Sequence, residues 1–285
     1  MKEKIEQVKL LSLILLLLTT FLINTIPSTF STPSKSFYKL NSEVYDDWSL
    51  CRTRAYGEDG FFQVSERSFR PAIVFESISN YKDAAWMLGK KFAEKYKDKH
   101  KLAEAIFYYV RDRIKYTPDK EQFGLDEFAQ NADELAKILA SKGVAYGDCE
   151  DYAVILAVMY KAAGFRSAIV LAPRHAATLV YLPDYERANV MWKLGGEEGW
   201  VWVEATGRNN PFGQTPSNYI GKKLLAYEVK DEVIILKKPP EKVEEVSIKG
   251  EGTTYLNYSP FFLMLLFMWI FRMIGGMIMV KRKRY

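Results

Sequence analysis

A cysteine at the start of an apolar helix is the feature that most constrains this chain. The stretch Gly147-Asp148-Cys149-Glu150-Asp151 precedes a nearly uncharged run, 152–163, which predicts a helix buried almost all round. Asp148 suits the N-cap of this helix, and Gly164 suits its C-terminal stop. The partial positive charge at a helix N-terminus favours a thiolate. Cys149 is therefore a candidate nucleophile.

Two other residues, both later in the chain, can complete a catalytic group with Cys149. Nucleophilic cysteine catalysis needs an imidazole that shares the thiol proton and a group that orients the imidazole. His175 begins one predicted strand and Glu204 ends another, and backbone amides at the start of the cysteine helix could stabilise an oxyanion. Each also has an ordinary interpretation, because a lone cysteine is often a small buried hydrophobe. Spacing alone leaves both interpretations open.

Periodicity predicts one α+β domain in which helices come first and strands follow. A capping box at Asn131 opens a short helix that Gly143 closes. The other predicted helices are 84–96, 101–114 and 149–163, and the predicted strands are 61–64, 72–75, 167–171, 175–182, 200–204 and 227–236. We expect the cysteine helix to pack on an antiparallel sheet.

Both ends of the chain carry apolar runs. Residues 10–26 predict an uncleaved membrane anchor or the apolar segment of a signal peptide. Residues 261–280 predict a membrane span that only Arg272 interrupts, and the basic run 281–284 follows it. The positive-inside rule places the C-terminus in the cytoplasm. We therefore expect a protein of the cell membrane whose domain faces outside.

These patterns divide the chain into six segments. They are an N-terminal anchor or signal segment 1–27, a stalk 28–41, a domain 42–236 with its core at 100–211, a linker 237–259, a transmembrane helix 260–280 and a basic cytoplasmic tail 281–285.

Charge and cysteine content exclude several classes of function. The net charge of +5 is modest and lies largely at the two ends, so we expect contact with membrane lipid and no binding of nucleic acid. Two cysteines and two histidines do not form a zinc pattern. An outward domain does permit a disulfide between Cys51 and Cys149, which would silence the nucleophile.

The order of these motifs resembles the transglutaminase-like superfamily, as an archaeal- or bacterial-type membrane-anchored member. Residues 147–153 are similar to the bacterial transglutaminase-like cysteine proteinases of the periplasm, and the resemblance spans roughly 102–211. It implies a papain-like α+β core with a Cys-His-Asp triad that acts through a thioester, in which Cys149 is the nucleophile and His175 the base. Glu204 stands where the superfamily usually has aspartate. The extra methylene moves the orienting oxygens by about a bond length, and catalytic geometry is sensitive on that scale.

The resemblance also concerns metals. Some members of the superfamily bind calcium through acidic residues that flank the cysteine, and Asp148 and Glu150 occupy the matching positions. A full calcium shell needs about six or more oxygen ligands, and helix capping already accounts for Asp148. We therefore predict no metal and no cofactor.

The leading hypothesis is a membrane-anchored thiol enzyme that acts on amide bonds of peptides or proteins. Cys149, His175 and Glu204 would form its triad, and a cysteine protease or peptidase is the expected class. Whether water or an amine resolves the thioester, which separates hydrolysis from crosslinking, is left open. The alternative is a catalytically inactive domain of the same fold used for binding or assembly. The extra methylene of Glu204 and a disulfide at Cys149 would both favour that alternative.

Overall fold

A computed structural model describes residues 36–65, 68–79 and 82–231 and the backbone of 244–246. The chain divides into two units, 1–250 and 251–285, and every described residue lies in the first. The two predicted membrane segments lie outside the described residues. Among the residues described, no helix combines the length and the apolar character that a bilayer crossing needs.

The described elements alternate between helices and short strands in the first half of the chain and are mostly strands in the second half. In chain order they are β1 Phe37–Leu40, β2 Glu43–Asp46, α1 Ala72–Ile78, α2 Ala84–Lys95, α3 Lys99–Arg113, β3 Ile114–Tyr116, α4 Asp119–Gln122, α5 Ala132–Lys142, β4 Ala145–Gly147, α6 Cys149–Ala162, β5 Ser167–Ala172, β6 His175–Tyr181, β7 Met191–Leu194, β8 Glu197–Val203, β9 Leu225–Glu228 and β10 Glu244–Val246.

The main sheet has five antiparallel strands in the order β7-β8-β6-β5-β9. Side chains alternate between its two faces, as strand geometry requires. One face, which includes Val180, Val201 and Val203, packs against the helices. The opposite face carries a second apolar cluster that includes Trp200 and Trp202. The cysteine helix packs on an antiparallel sheet, as predicted.

Helix α6 is the centre of the packing. Twelve of its residues are buried, because the sheet covers one side and α1, α2, α3 and α5 cover the rest. Two hydroxyls join it to the sheet: Thr178 donates to the carbonyl of Ala153 at 2.9 Å, and Ser167 donates to that of Ala157 at 2.8 Å. Helix α2 comes so close that a Cβ at Gly89 would lie 2.4 Å from the carbonyl oxygen of Met159. Glycine is therefore required there.

Local signals placed several helices correctly. Asn131 caps α5, with Glu134 completing the capping box, and Gly143 ends the helix in a left-handed conformation at φ 75°. Helix α6 begins after Asp148, as the apolar pattern predicts.

Two strand predictions are wrong. Residues 72–75 belong to helix α1, and all seven residues of that helix are buried. A short apolar run buried on every side has no period that separates strand from helix. Residues 61–64 take part only in an isolated bridge, which pairs Val64 with Tyr56.

The two outermost described strands pair with each other. Strand β1 lies between β2 and β10, with Phe37 opposite Val246. These strands fall in the predicted stalk and linker, so both segments contribute to a sheet of the domain. The antiparallel register also brings the point where the chain enters the domain next to the point where it leaves after β10.

Candidate active site

Cys149 occupies the first turn of α6, and its side chain is half-buried. The chain reaches it through Gly147, where a Cβ would lie 2.6 Å from Asp151 Oδ2. The backbone N–H of Asp148 donates to the same oxygen at 3.3 Å, which helps to cap the helix. The thiol donates to Glu150 Oε2 at 3.2 Å. Both cysteines are free, so the disulfide considered from the sequence is not formed.

His175 and Glu204 come together because their strands are neighbours. His175 is the first residue of β6, and Glu204 directly follows β8, with Thr178 opposite Val203 in the register between them. The Nε2 atom of His175 is hydrogen-bonded to Glu204 Oε2. The other oxygen, Oε1, accepts the backbone N–H of Thr206 at 3.3 Å and also its hydroxyl. Both oxygens of the buried carboxylate are therefore held.

The thiol of Cys149 lies close enough to the imidazole of His175 to affect its pKa. Because Nε2 is engaged by Glu204, Nδ1 is the ring nitrogen available to a second partner. Burial opposes a charge on the ring, but the interactions with Cys149 and Glu204 raise the pKa of His175 to about 10. The structure thus joins His175 to Glu204 and places Cys149 near enough to influence the same ring.

An open cleft of about 370 Å³ lies on the His175 side of this group. Its lining consists of Tyr116, His175, Glu204, Thr206, Gly207, Asn210, Pro216, Asn218 and Tyr219. Apart from the imidazole and the carboxylate, these residues supply phenol, hydroxyl and carboxamide groups. A peptide with exposed backbone amides could find hydrogen-bond partners along such a wall.

Five carboxyl groups lie close to one another near Cys149. They come from α4, the loop after it and the start of α6, and they are Asp119, Glu127, Asp148, Glu150 and Asp151. Three combinations bring candidate ligand oxygens within 4.8 Å of one another: one joins Asp119, Asp148 and Asp151, another joins Asp119, Glu127 and Glu150, and a third links Asp148 and Glu150 through the cysteine. We call these five residues the acidic cluster.

Burial and mutual repulsion disfavour charge on the acidic cluster. Burial, followed by the charge of Asp148, raises the pKa of Asp119 to about 8. Burial is also the main cause that raises the pKa values of Glu127 and Asp148, and it raises those of Glu150 and Asp151 well above their ordinary range. Asp119 therefore holds its proton at neutral pH, and burial favours the protonated form of the other four carboxyls.

The acidic cluster fits a hard divalent cation such as Ca²⁺ by its donor type. Asp119 Oδ1, Asp148 Oδ1 and Glu150 Oε1 are buried and have no N–H or hydroxyl partner within the described part of the chain. Buried carboxylate oxygens normally find a partner, and a cation would supply one. When bound, it would contribute positive charge that holds these carboxyls ionised.

Sequence reasoning missed part of this site. Asp119, Glu127 and Tyr219 lie in loops or at the start of a one-turn helix, where no periodicity marks them. Thr206 directly follows the predicted strand 200–204 and Ala205, but its contact with Glu204 depends on the turn that follows β8.

Part of the domain matches a known family model. Residues 87–210 match the family model of the transglutaminase-like superfamily, and this match contains Cys149, His175 and Glu204. The resemblance drawn from the sequence motifs is thereby confirmed. No curated protein matches the chain in sequence.

A solved structure, that of a candidate cysteine protease from Cytophaga hutchinsonii, is similar at 15% sequence identity and a TM-score of 0.29. The alignment covers 62% of each chain, so this chain spans less than two thirds of that protein's length.

Proposed function

We propose, on the premise that this chain carries a transglutaminase-like superfamily domain at residues 87–210, that it is a thiol enzyme acting on amide bonds of peptides or proteins. The observation that carries the proposal is the imidazole of His175, hydrogen-bonded to Glu204 and close enough to the Cys149 thiol for that thiol to affect its pKa. A raised imidazole pKa favours transfer of the thiol proton to the ring, which leaves the thiolate that nucleophilic catalysis needs.

The geometry supports the following reaction. His175 Nδ1 takes the thiol proton, and the Cys149 sulfur forms a bond to the substrate carbonyl carbon while the carbonyl π electrons move to oxygen. The backbone N–H of Cys149 lies at the start of α6, where it can stabilise this oxyanion. Collapse breaks the C–N bond, and the departing amine takes the proton from Nδ1. A thioester remains, and Glu204 holds the ring throughout.

We expect water to resolve the thioester, so that the enzyme is a cysteine protease or peptidase. The cleft beside His175 is open, and a water molecule there can give its proton to Nδ1 as its oxygen attacks the thioester carbonyl. The products are the free acid and the restored thiol. An amine in place of water would give a crosslink by the same steps, and added hydroxylamine would then be incorporated as a hydroxamate.

Labelling of Cys149 tests the proposal directly. Near pH 6, iodoacetamide is expected to alkylate Cys149 at least tenfold faster in the full chain than in its His175→Ala variant, since an ordinary thiol of pKa about 8.5 is almost wholly protonated there. The rate is measured by mass spectrometry of the Cys149 peptide, with Cys149→Ala as the blank. Buried Cys51, whose thiol pKa burial raises, is the internal control.

Equal rates in the wild-type chain and the His175→Ala variant would contradict an activated thiol. The domain would then be the inactive member of its fold that the sequence also allowed, used for binding or assembly. The structure offers one observation for that alternative, the hydrogen bond that the thiol donates to Glu150.

We further propose that the domain is tethered to a membrane through the apolar runs 10–26 and 261–280. The pairing of β1 with β10 supports this, because both connections to those runs leave the domain at one place. After expression in bacteria, the full chain is expected to stay in the membrane pellet during extraction at pH 11, and protease added to spheroplasts should digest the domain.

Release of the full chain into the alkaline supernatant would contradict membrane tethering. N-terminal sequencing separates the two interpretations of residues 10–26, because a signal peptide is removed whereas an anchor is kept. A peripheral membrane protein in the same preparation serves as the control, because the alkaline extraction should release it.

A further inference from the structure

The aromatic ring of Tyr219 lies flat against the imidazole of His175. The ring centroids are 5.8 Å apart and the planes differ by 6°, which is an offset stacked arrangement. Tyr219 comes from the segment between β8 and β9 rather than from either strand of the catalytic group. Its side chain is half-buried and forms part of the cleft wall. A residue that the proposed reaction does not use is therefore stacked beside the imidazole of His175.

Tyr219 is itself held in place by the core. Its ring stacks on Trp202 at 5.6 Å and 29°, and Trp202 is fully buried in the second face of the sheet. Upstream of Tyr219, Asn189 and Thr215 exchange two hydrogen bonds, of 2.8 and 2.9 Å, through the Asn189 side chain and the Thr215 backbone. A turn follows in which the N–H of Tyr219 donates to Pro216 at 3.0 Å. The phenol ring thus has a rigid support.

Stacking restrains the imidazole in a way that its hydrogen bond does not. The hydrogen bond of His175 with Glu204 acts at the edge of the ring and in its plane. Rotation about the Cβ–Cγ bond would tilt the ring out of that plane, misalign this bond and turn the ring away from Cys149, and a parallel aromatic ring beside it opposes this tilt. An aromatic face also attracts a nearby cation within about 6 Å of its centroid. Tyr219 therefore favours the imidazolium that accompanies the thiolate.

We propose that Tyr219 is a positioning residue of the enzyme: it holds the His175 ring in line with Cys149 and Glu204 and stabilises its charged form. The inference rests on the proposed function, since it concerns the same imidazole. The phenol ring is what acts in it, because stacking and the attraction of a cation need only the aromatic face. A phenylalanine at position 219 should therefore keep the positioning role, whereas an alanine there should lose it.

The test compares Tyr219→Ala with Tyr219→Phe in the full chain. The rate of Cys149 alkylation by iodoacetamide is measured from pH 5 to pH 10, and the same variants are acylated with p-nitrophenyl acetate. Tyr219→Ala is expected to lower both rates about tenfold near pH 6, as the loss of a partly desolvated cation–aromatic contact implies, and to shift the low-pH limb of the alkylation profile. Tyr219→Phe is expected to stay within about threefold of the wild-type rates, because the aromatic face is kept.

The pH dependence of Cys149 alkylation depends on the charged and titratable groups near His175. Cys149, Glu204 and Asp148 act electrostatically on His175, and the phenols of Tyr116 and Tyr219 line the same cleft; of these groups only Tyr219 is changed, and Tyr219→Phe removes its titratable hydroxyl while keeping the ring. The exposed neighbour Ile220 supplies the matched control, and Ile220→Ala should leave the rates and the profile unchanged. Thermal unfolding of all three variants shows whether the fold is intact.

The outcomes separate the two proposals. If His175→Ala slows alkylation but a folded Tyr219→Ala variant keeps the wild-type rates and profile, the positioning role is wrong and the thiol enzyme stands. If His175→Ala and the wild-type chain react equally, the proposed function fails first. Equal losses in Tyr219→Phe and Tyr219→Ala would assign the effect to the hydroxyl and overturn the stacking argument. If Tyr219→Ala does not fold, Tyr219→Leu, which keeps apolar bulk without an aromatic face, takes its place under the same criteria.

Discussion

Replacing Glu204 with glutamine is expected to lower the rate of Cys149 acylation by about 100- to 1000-fold, as loss of a correctly oriented base implies. The reason lies in the partners of the two carboxylate oxygens. Oε1 accepts the backbone N–H of Thr206, and an N–H can only donate. The carboxamide of the variant must therefore place its oxygen there and turn its NH2 group towards His175.

That orientation imposes the wrong tautomer on the imidazole. An NH2 group facing Nε2 needs an acceptor, so the neutral ring of His175 carries its proton on Nδ1 instead. Nδ1 is the atom that has to take the thiol proton of Cys149, and a nitrogen that already bears a proton cannot take it. The variant loses the base although every heavy atom stays in place.

Glu204→Asp is the matched control, because it keeps the charge and changes only the reach of the side chain. We expect a loss of about tenfold, in keeping with the sensitivity of catalysis to displacements on the ångström scale. The measurement is p-nitrophenolate release from p-nitrophenyl acetate in a single turnover. Similar rates in the wild-type chain and the glutamine variant would show that Glu204 does not set the tautomer.

The acidic cluster is expected to make the folded protein less stable as the pH rises from about 4 to about 8. Burial raises the pKa of Asp119 from 3.8 to about 8, and the other four carboxyls shift in the same direction. In this interval the unfolded chain has released protons that the folded chain still holds. The unfolding free energy therefore falls with rising pH, which is the sign for a carboxyl whose folded pKa is raised.

The contribution of Asp119 alone is on the order of 3–5 kcal/mol between those limits. His175 acts in the same direction at higher pH, because its pKa of about 10 lies above its ordinary 6.5. Its contribution is complete below pH 6.5 and is lost as the pH passes through 10. Urea unfolding in EDTA at several pH values from 5 to 9 measures the combined slope.

Asp119→Asn is expected to flatten the slope and to stabilise the protein at pH 8, since the carboxamide oxygen can still accept the N–H of Phe128. Asp126→Asn is the control, because that carboxylate is exposed, pairs with Lys120 and has a lowered pKa. A wild-type stability that does not change between pH 5 and pH 8 would contradict the raised pKa values.

Added Ca²⁺ provides a second test of the carboxyls of the acidic cluster. A cation binds their ionised form and competes with protons, so an excess of Ca²⁺ is expected to raise Tm more at pH 8 than at pH 5. This increase in Tm should disappear in the double variant that combines Asp119→Asn with Glu150→Gln. Equal increases in Tm with Ca²⁺ and with NaCl of the same ionic strength would mean that the added ions only screen the repulsion between the carboxylates and that the acidic cluster does not bind Ca²⁺.

Much of the fold follows from local signals. The helix that begins at Cys149 is marked by its apolar run, and the helix after Asn131 by its capping box, and both signals lie within a few residues of what they specify. The strands that carry His175 and precede Glu204 were equally visible, since each is rich in β-branched or aromatic residues.

Helix α1 shows where such reasoning fails. Its apolar residues predict a strand, but Glu76 within it forms a buried ion pair with Arg52 at 2.8 Å, and every residue of the helix is covered. Burial on all sides removes the polar face from which a period is read. Only the packing of the surrounding elements decides the conformation of this segment.

The amino-acid sequence by itself determined which residues can do chemistry here: a cysteine at the mouth of a buried helix, and a histidine and a glutamate on strands. The tertiary structure decided which atoms meet, with Nε2 of His175 committed to Glu204, Tyr219 stacked on the same ring, and five carboxyls gathered beside Cys149. The division has a physical cause. Caps and periodicity act over one or two turns of chain, whereas a site depends on contacts between residues that only sheet register and helix packing bring together.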